Sequence, residues 1–483
     1  MNPVTKSSYV DGAFISQDSG SDLLENRNPS NPEEVIERFV RADQALTEQA
    51  IAAARRAQPQ WARSNPQQRA DALDFIGSEI LARRDELAAL LAREEGKVLR
   101  EALGEVDRAG RSFKFYAQEA LRASGEKYQS VRQDVGIDVI TQPLGVIGII
   151  APWNFPIAIP AWKIAPALCF GNCVVFKPAE LVPSSAWALT EIISRAGLPA
   201  GVFNLLIGPG RSVGDTLIRS PQIDGISFTG SEHTGRQIAR LAAEGMKKVQ
   251  LEMGGKNPLI VLDDADLEQA VDVALNGSFY STGQRCTASS RVIVTEGIHD
   301  AFVARLAERT RALKVGDAMQ ASTDIGPVVD ARQLEQNLSY VASGVEQGAT
   351  LVCGGERIEN AAGAHLFTPA LFTDVRPDMR IYREEIFGPV LCVLKVRDYE
   401  AAYAAAEDTE FGLSAGIVTT SLRHAEHFKL HSSAGMVMVN LPTAGVDYHV
   451  PFGGNGASSL GAREQGTHAR QFFTRVKTTY QLA

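Results

Sequence analysis

The chain has 483 residues, 45% of them hydrophobic and 22% charged, with a formal net charge of −9. That length exceeds what one hydrophobic core serves and predicts roughly two to four domains. The acidic balance, without any basic run, argues against a nucleic-acid partner. The start, Met1 to Lys6, lacks the apolar segment of a secretory signal, and apolar stretches such as residues 146–151 are far too short to span a bilayer. A soluble, cytoplasmic protein with no membrane partner is expected.

Residues 1–40 are polar and turn-rich, punctuated by Asn28-Pro29-Ser30-Asn31-Pro32. Residues 42–123 carry an Ala-rich, charge-laced helical pattern. Residues 128–142 alternate and are read as a projecting β-hairpin. A regular alternation follows. Strands are predicted at 146–151, 173–177, 202–206, 225–228 and 248–251, with helices between them. Short apolar strands separated by helices imply a doubly wound, Rossmann-like parallel sheet in an α/β fold. Ligands of such sheets bind outside the carboxyl ends of the strands. Here those ends carry Trp153-Asn154-Phe155, Lys177 to Glu180, Gly208, Thr229-Gly230-Ser231 and Glu252.

A second alternation begins at 258–262, with a helix from 266 and strands at 291–294, 391–396, 416–418 and 435–440. This predicts a second α/β domain containing Cys286. The predicted division is 1–123 with 144–255, then 256–466, with 124–143 and 467–483 as small oligomerisation segments.

Five cysteines at irregular spacing form no disulfide framework. Cys169, Cys173 and Cys392 sit in apolar runs and read as buried small hydrophobes. Cys286 differs, lying in the small, polar stretch Gly283-Gln284-Arg285-Cys286-Thr287. The thiolate is the attacking form, and a cation or hydrogen-bond donor would favour it. Glu252 ends an apolar strand before Gly254-Gly255, a partly dry place for a general base. Asn154, in Pro152-Trp153-Asn154-Phe155-Pro156, offers a fixed amide donor for an oxyanion. Lys177 and Glu180 suit a ribose diol. Gly230 and Gly235 form a strand-to-helix turn of the kind that phosphate sites need, though not a G-x-G-x-x-G motif. The eight histidines show no metal-ligand spacing, and no metal is expected.

Together these stretches, with Glu384-Glu385-Ile386-Phe387-Gly388-Pro389 and Pro451-Phe452-Gly453-Gly454, resemble the aldehyde dehydrogenase superfamily over nearly the whole chain. The resemblance implies Cys286 as nucleophile, Asn154 and the Cys286 N–H as oxyanion donors, Glu252 as the base for hydrolysis, and Lys163 as a supporting lysine. It implies cofactor contacts from Ala151, Pro152, Trp153, Lys177, Glu180, Gly208, Gly230, Ser231, Gly235, Met253, Gly254, Glu385 and Phe387. Phe155, Trp162, Arg285, Thr287 and Phe452 are implied on the substrate side. A carboxylate at the adenosine 2′-hydroxyl favours NAD, with NADP possible beside Lys177. Gly456 stands where the family often has a lysine.

The tail 443–452 and Lys177 to Pro183 look like bacterial α-ketoglutarate semialdehyde dehydrogenases, and Arg285 suits a distal carboxylate. Succinate or glutarate semialdehyde and aromatic aldehydes are alternatives, as are a CoA-acylating enzyme and a non-catalytic relative. The intact Cys286, Glu252 and Asn154 argue against the last two. By the same resemblance the hairpin and the C-terminal segment 475–480 are oligomerisation parts, pairing across subunits of a homodimer or homotetramer.

Overall fold

The computed structural model describes residues 5–15, 22–122 and 125–482. Residues 1–4, part of the stretch read for a secretory signal, lie outside them, as do 123–124 at the start of the projecting segment.

The first large sheet has eight strands. Five are parallel and stand in the order Lys248–Glu252, Gly225–Thr229, Val146–Ile150, Cys173–Lys177, Phe203–Leu205. Four of the five are buried almost throughout, which is why they read as continuous apolar runs rather than alternating ones; Lys248–Glu252 is half-buried at its start. The first of them in the chain, Val146–Ile150, is central. The chain winds outward from it in both directions, so the topological switch, and hence the crevice, lies at its carboxyl end. Ala151 to Phe155 occupy that place. Antiparallel strands close the two sides: Tyr9–Val10 with Ala13–Phe14, and Ser459–Gly461 against Lys248–Glu252. The last of these returns from beyond the second sheet, a crossover that the division at residue 255 does not anticipate.

The predicted helical region resolves into Gln44–Ala62, Pro66–Ala82, Arg84–Glu95 and Leu99–Glu119. Each boundary has a local cause. Asp43 caps the first by accepting from the Leu46 N–H (2.8 Å), and Asn65 caps the second with Pro66 at its first position. Gly96 ends the third in the left-handed region (φ 98°).

The second sheet has seven strands, ordered Thr350–Cys353, Ala370–Thr373, Val390–Val396, Ser289–Thr295, Asn257–Val261, Ser414–Val418, Met436–Val439. All neighbours are parallel except Thr350–Cys353. Sequence reading names no element between 313 and 391, yet this stretch holds helix Ala331–Glu346 and two strands.

Residues 1–40 were expected to be turn-rich, whereas Leu23–Asn28 and Asn31–Val40 form an antiparallel pair. Their apolar residues come as adjacent pairs, Leu23-Leu24, Val35-Ile36 and Phe39-Val40, so no apolar alternation announces them, and the run read as a loop is the hairpin turn, with Ser30 N–H on Asn28 Oδ1 (2.8 Å). The projecting hairpin is present as Glu126–Gln129 and Val135–Pro143. Its further partner is Thr474–Leu482 of the same chain, paired antiparallel from Thr474 with Pro143 to Leu482 with Val135. The pairing expected between subunits is thus formed within one. No helix among the described residues is long and apolar enough to cross a membrane.

Candidate active site

The loop after Val146–Ile150 carries Asn154, and it is fixed from beneath by buried charge. Lys97 Nζ donates to the Asn154 carbonyl (2.6 Å) and to Glu105 Oε2 (2.7 Å), and lies 3.9 Å from the centre of the Phe155 ring. Glu105 Oε1 accepts from the Ile157 and Ala158 N–H groups (2.9 and 3.1 Å), at the start of helix Ala158–Cys169. Burial pulls the Lys97 ammonium down, but the carboxylates of Glu105 and Glu95 outweigh it and hold it charged. Both members of the pair have 1% side-chain exposure. Lys97→Met is therefore expected to lower stability by about 3–5 kcal/mol, the cost of an orphaned buried charge. Urea unfolding checks this, and an unchanged midpoint would remove the pair from this role.

The nucleophile loop comes from the other side. Helix Leu267–Phe279 ends, and Ser281 (φ 52°), Thr282 (φ 55°) and Gly283 (φ 64°) are all left-handed. Such a run costs about 1–3 kcal/mol for each residue with a side chain and persists only when its surroundings hold it. Here the Ser281 N–H is held by Glu101 Oε1 (2.9 Å), the Thr282 hydroxyl by the Gly326 carbonyl (3.2 Å), and Gln284 Oε1 by the Val329 N–H (3.0 Å). A side chain at Gly283 would meet the Gly388 carbonyl. Helix Leu99–Glu119 thus supports both walls, Glu101 the nucleophile loop and Glu105 the Asn154 loop.

Across the cleft, Asn154 Nδ2 donates to the Gln284 carbonyl (2.9 Å), two residues before Cys286. Cys286 is half-buried. Burial of its thiol pushes the pKa up to about 12, the charges of Glu385 and Glu252 add to this, and the Thr287 and Cys286 N–H groups oppose it. Donors to the sulfur are present, yet burial wins, and the resting group is a neutral thiol. Thr287 is buried, its carbonyl accepting from Thr443 Oγ1 (2.7 Å). Arg285 turns away from its neighbour, its Nη2 donating to the Asn276 and Gly277 carbonyls at the end of helix Leu267–Phe279. The expected substrate contact from this arginine is absent in this geometry, because the carbonyls at the helix end hold its guanidinium.

Glu252 is buried, and burial followed by the charge of Glu464 raises its pKa well above the ordinary carboxylate range. Its Oε2 accepts from the Ser459 hydroxyl (2.6 Å), so the carboxylate is parked beside the returning edge strand. Lys163 Nζ pairs with Glu464 and donates to Ser227 Oγ (3.0 Å), and the Trp162 indole N–H donates to the same Glu464. Glu464 is absent from the sequence-predicted set. Nothing in Ala462-Arg463-Glu464-Gln465 marks it as buried, and its lysine is 301 positions away. The Trp162 ring lies 5.5 Å from that of Phe452, and Phe452 packs with Val446, Leu413, Met436 and the half-buried Cys286.

On its other side Cys286 opens on a cavity of about 340 Å³, lined also by Pro152, Trp153, Asn154, Thr229, Gly230, Ser231, Met253, Gly254, Glu385 and Phe387. Every one of these except Thr229 is a residue singled out in the sequence. Helix Ala331–Glu346 contributes Gln333 and Gln336, which the sequence did not suggest. Gln333 Nε2 donates to the Phe387 carbonyl (3.1 Å) and Gln336 Nε2 to the Ile386 carbonyl (3.0 Å). They hold Phe387 in the left-handed region (φ 58°) with its ring edge-on to Trp153 at 5.3 Å. Ser231 caps helix Glu232–Glu244, whose N-terminus suits a phosphate. Gly235 admits the Met253 sulfur, and Gly254 admits the Glu385 carboxylate, where any Cβ would collide. Glu385 accepts from the Gly255 N–H (3.0 Å), and burial raises its pKa to about 7. The Thr229 hydroxyl in the cavity wall is buried without a hydrogen-bond partner among the described residues, as expected of a group that awaits a polar ligand.

Lys177, Glu180 and Gly208 stand apart from this cavity, at the ends of neighbouring strands. The Lys177 ammonium is buried against the Pro178 carbonyl (3.0 Å), and burial lowers its pKa.

The aldehyde dehydrogenase family profile matches residues 14–479. The chain belongs to the aldehyde dehydrogenase family. It is 40% identical over 474 residues to an alpha-ketoglutaric semialdehyde dehydrogenase of Bacillus subtilis, covering 98% of this chain and 97% of that protein. It is also 41% identical to a betaine aldehyde dehydrogenase of Sinorhizobium fredii, covering 98% and 96%. Among solved structures, betaine aldehyde dehydrogenase of Staphylococcus aureus in complex with NAD+ superposes with a TM-score of 0.96 at 32% identity, covering 99% of this chain and 95% of that one. The protein is accordingly an NAD(P)-dependent aldehyde dehydrogenase. Among the described residues no cluster of three or more His, Cys, Asp or Glu could hold a metal.

Proposed function

We propose that this enzyme oxidises an aldehyde with a distal carboxylate, α-ketoglutarate semialdehyde (2,5-dioxopentanoate), to the dicarboxylic acid. The Cys286 sulfur attacks the carbonyl carbon, and its proton leaves to solvent or base. The new oxyanion meets the Cys286 N–H and the second N–H of Asn154 Nδ2, whose first is already engaged with Gln284. A nicotinamide held in the adjoining cavity would supply the hydride acceptor for that carbon, and Cys286 would then hold the acyl group as a thioester. Glu252 rotates from Ser459 toward the thioester, takes a proton from water, and the hydroxide displaces Cys286 as the acid forms. Residues that would hold NAD+ are Trp153 and Phe387 at the nicotinamide end, Glu385 at its ribose, Gly230 and Ser231 at the pyrophosphate, and Lys177 with Glu180 at the adenosine ribose.

Arg108 carries the choice of a carboxylate over a betaine aldehyde. It lies on helix Leu99–Glu119, one turn past Glu105, half-buried and within the fields of Glu105 and Asp447. Its guanidinium has no hydrogen bond or ion pair among the described residues. That helix packs on Ala158–Cys169, which bears Trp162, and the loop with Asp447 leads to Phe452. An unpaired guanidinium where these elements meet attracts a carboxylate and repels a quaternary ammonium. The test is kcat/KM for 2,5-dioxopentanoate, succinate semialdehyde, glutarate semialdehyde, betaine aldehyde and benzaldehyde. A preference for the first is expected, and Arg108→Met should lower it about tenfold or more while leaving benzaldehyde within about threefold, the worth of one charge-assisted contact. A preference for betaine aldehyde would overturn this reading.

A further inference from the structure

We infer that Ser459 is a positioning residue of the hydrolytic step: its hydroxyl latches Glu252 in a resting place and ties that place to the Phe452–Gly454 segment, so that the base is withheld from Cys286 until the latch opens. The latch rests on the roles proposed above for Cys286 and Glu252. Ser459 acts through Glu252 and does not touch substrate.

An edge pairing builds the latch. Strand Ser459–Gly461 runs antiparallel to Lys248–Glu252, with Glu252 directly opposite Ser459. Residues that face each other across such a pair place their side chains on one side of the sheet. The Met253 N–H donates to the Ser458 carbonyl (2.8 Å) and fixes that register. Ser459 Oγ donates to Glu252 Oε2 (2.6 Å) and accepts from the Gly454 N–H (2.7 Å). One hydroxyl thus joins the base to the segment that carries Phe452. The neighbouring hydroxyl, Ser458 Oγ, is engaged elsewhere, by the Gly412 N–H (3.1 Å).

The second carboxyl oxygen is confined by the same segment. Gly453 (φ 144°) leaves room where a Cβ would lie 2.7 Å from Glu252 Oε1 and 2.8 Å from Arg463 Cδ. Arg463 donates from Nη1 to the Gly454 carbonyl and from Nη2 to Asn455 Oδ1 (2.8 Å). Gly454 is therefore held at both its N–H and its carbonyl. Phe452, two positions earlier, packs with the half-buried Cys286. The resting place of the base and one wall of the nucleophile's pocket are a single piece of backbone.

A hydrogen bond donated to a carboxylate favours its ionised form. The charged and titratable groups around Glu252 are Glu464, which disfavours ionisation, Lys163 and Arg463, which favour it, and the Cys286 thiol across the cleft. Ser459 favours it as well, but only while the carboxyl group rests. Three states of the acyl-enzyme matter: Glu252 protonated at rest, ionised at rest, and ionised beside the thioester. The latch stabilises chiefly the second. At low pH the rate depends on the first and third, so loss of the latch leaves it nearly unchanged. At high pH it depends on the second and third, so loss of the latch speeds it, and the limb moves upward by the same factor.

Decay of the acyl-enzyme is followed by quenched flow after a single turnover, over the pH range in which the protein stays folded, with 2,5-dioxopentanoate and with benzaldehyde. Ser459→Ala is expected to raise the alkaline plateau about tenfold and to move the limb up by about one pH unit, the worth of one hydrogen bond to a charged group, with the acid limb within about threefold of wild type. Ser459→Thr keeps the hydroxyl and should restore the wild-type profile. Ser459→Cys, a weaker donor in the same place, should fall between. Ser458→Ala removes a hydroxyl from the same segment and should shift neither plateau nor limb. Ser459 is only half-buried on an edge strand, so these variants are expected to fold, which the melting temperature checks. A Ser459→Ala profile that superposes on wild type, a uniform fall at every pH, or an equal shift in Ser458→Ala would overturn this role. Glu252→Gln, run alongside, separates the latch from the assignment of the base. If its acyl-enzyme decays as in wild type, the base is another group and the latch falls with it. If it stalls while Ser459→Ala matches wild type, the latch alone falls.

Discussion

Cys286→Ala is expected to abolish aldehyde-dependent NADH formation, with a loss on the order of 10⁴–10⁶-fold, as when the nucleophile of a unit that acts together is removed. The expectation rests on placement. Cys286 is the cysteine with its sulfur between the two halves of the site, packed against Phe452 on one side and opening on the Trp153–Phe387 cavity on the other. Cys169, Cys173 and Cys392 are buried in cores, where no substrate reaches them. Binding of NAD+ by the variant should be unchanged within about threefold, because no cofactor contact is lost, and calorimetry checks this. Retained NADH production would remove Cys286 from the reaction. A further consequence follows from its pKa of about 12 in the free protein. The thiolate is therefore a minor species near neutral pH. Alkylation of Cys286 by iodoacetamide should therefore be slow in the free enzyme and rise about tenfold per pH unit; fast, pH-independent labelling at neutral pH would contradict the burial that sets this value.

The parts that sequence reasoning reached share a cause. Strands such as Val146–Ile150 and Cys173–Lys177 are covered on both faces, so they appear as unbroken apolar runs. Asn154, Glu252 and Cys286 lie at ends and turns where polar residues interrupt such runs. What sequence reasoning missed depends on partners far apart along the chain. Lys97 acts on Asn154 across 57 positions, Glu101 on Ser281 across 180, and Lys163 on Glu464 across 301. In the sequence they are ordinary charges in amphipathic or turn-rich stretches, and only burial reveals them. Arg285 shows the converse. Adjacency to the nucleophile suggested a substrate contact, but the carbonyls of Asn276 and Gly277, nine and eight positions earlier, claim its guanidinium.

Support of both loops by one helix also bears on how the site tolerates change. Glu101 and Glu105, one turn apart on Leu99–Glu119, hold respectively the strained approach to Cys286 and the loop of Asn154. A shift of that helix would move nucleophile and oxyanion donor together, preserving their separation. Shifting either loop alone would break the alignment on which near-attack geometry depends. Active-site register is therefore set from outside the two sheets whose ends form the cleft.

Glu252→Gln is expected to separate the two halves of the reaction. Acylation uses Cys286 and its oxyanion donors, none of which is altered, so a burst of about one NADH per active site should persist. Hydrolysis of the thioester needs the base, and the steady-state rate should fall about 10²–10⁴-fold. Rapid mixing reads both phases, and a full steady-state rate would assign hydrolysis to another group. The pH dependence adds a second readout. Burial and the Glu464 charge raise the Glu252 pKa well above the ordinary carboxylate range. The base is ionised only above that raised value, so wild-type deacylation should climb with pH through it, and the variant should lose that limb. The same shift fixes the sign of a stability effect. A carboxyl whose pKa is raised on folding binds its proton more tightly in the folded protein. Its contribution is most favourable below the unfolded value near 4.5 and is lost as pH rises toward the folded pKa. Glutamine never ionises. Glu252→Gln should thus be as stable as the wild type at pH 5 and more stable at pH 8, provided that the Ser459 hydroxyl keeps an acceptor in the amide oxygen. A variant less stable at pH 8 than at pH 5, relative to wild type, would show that the carboxylate is paid for by partners other than Ser459.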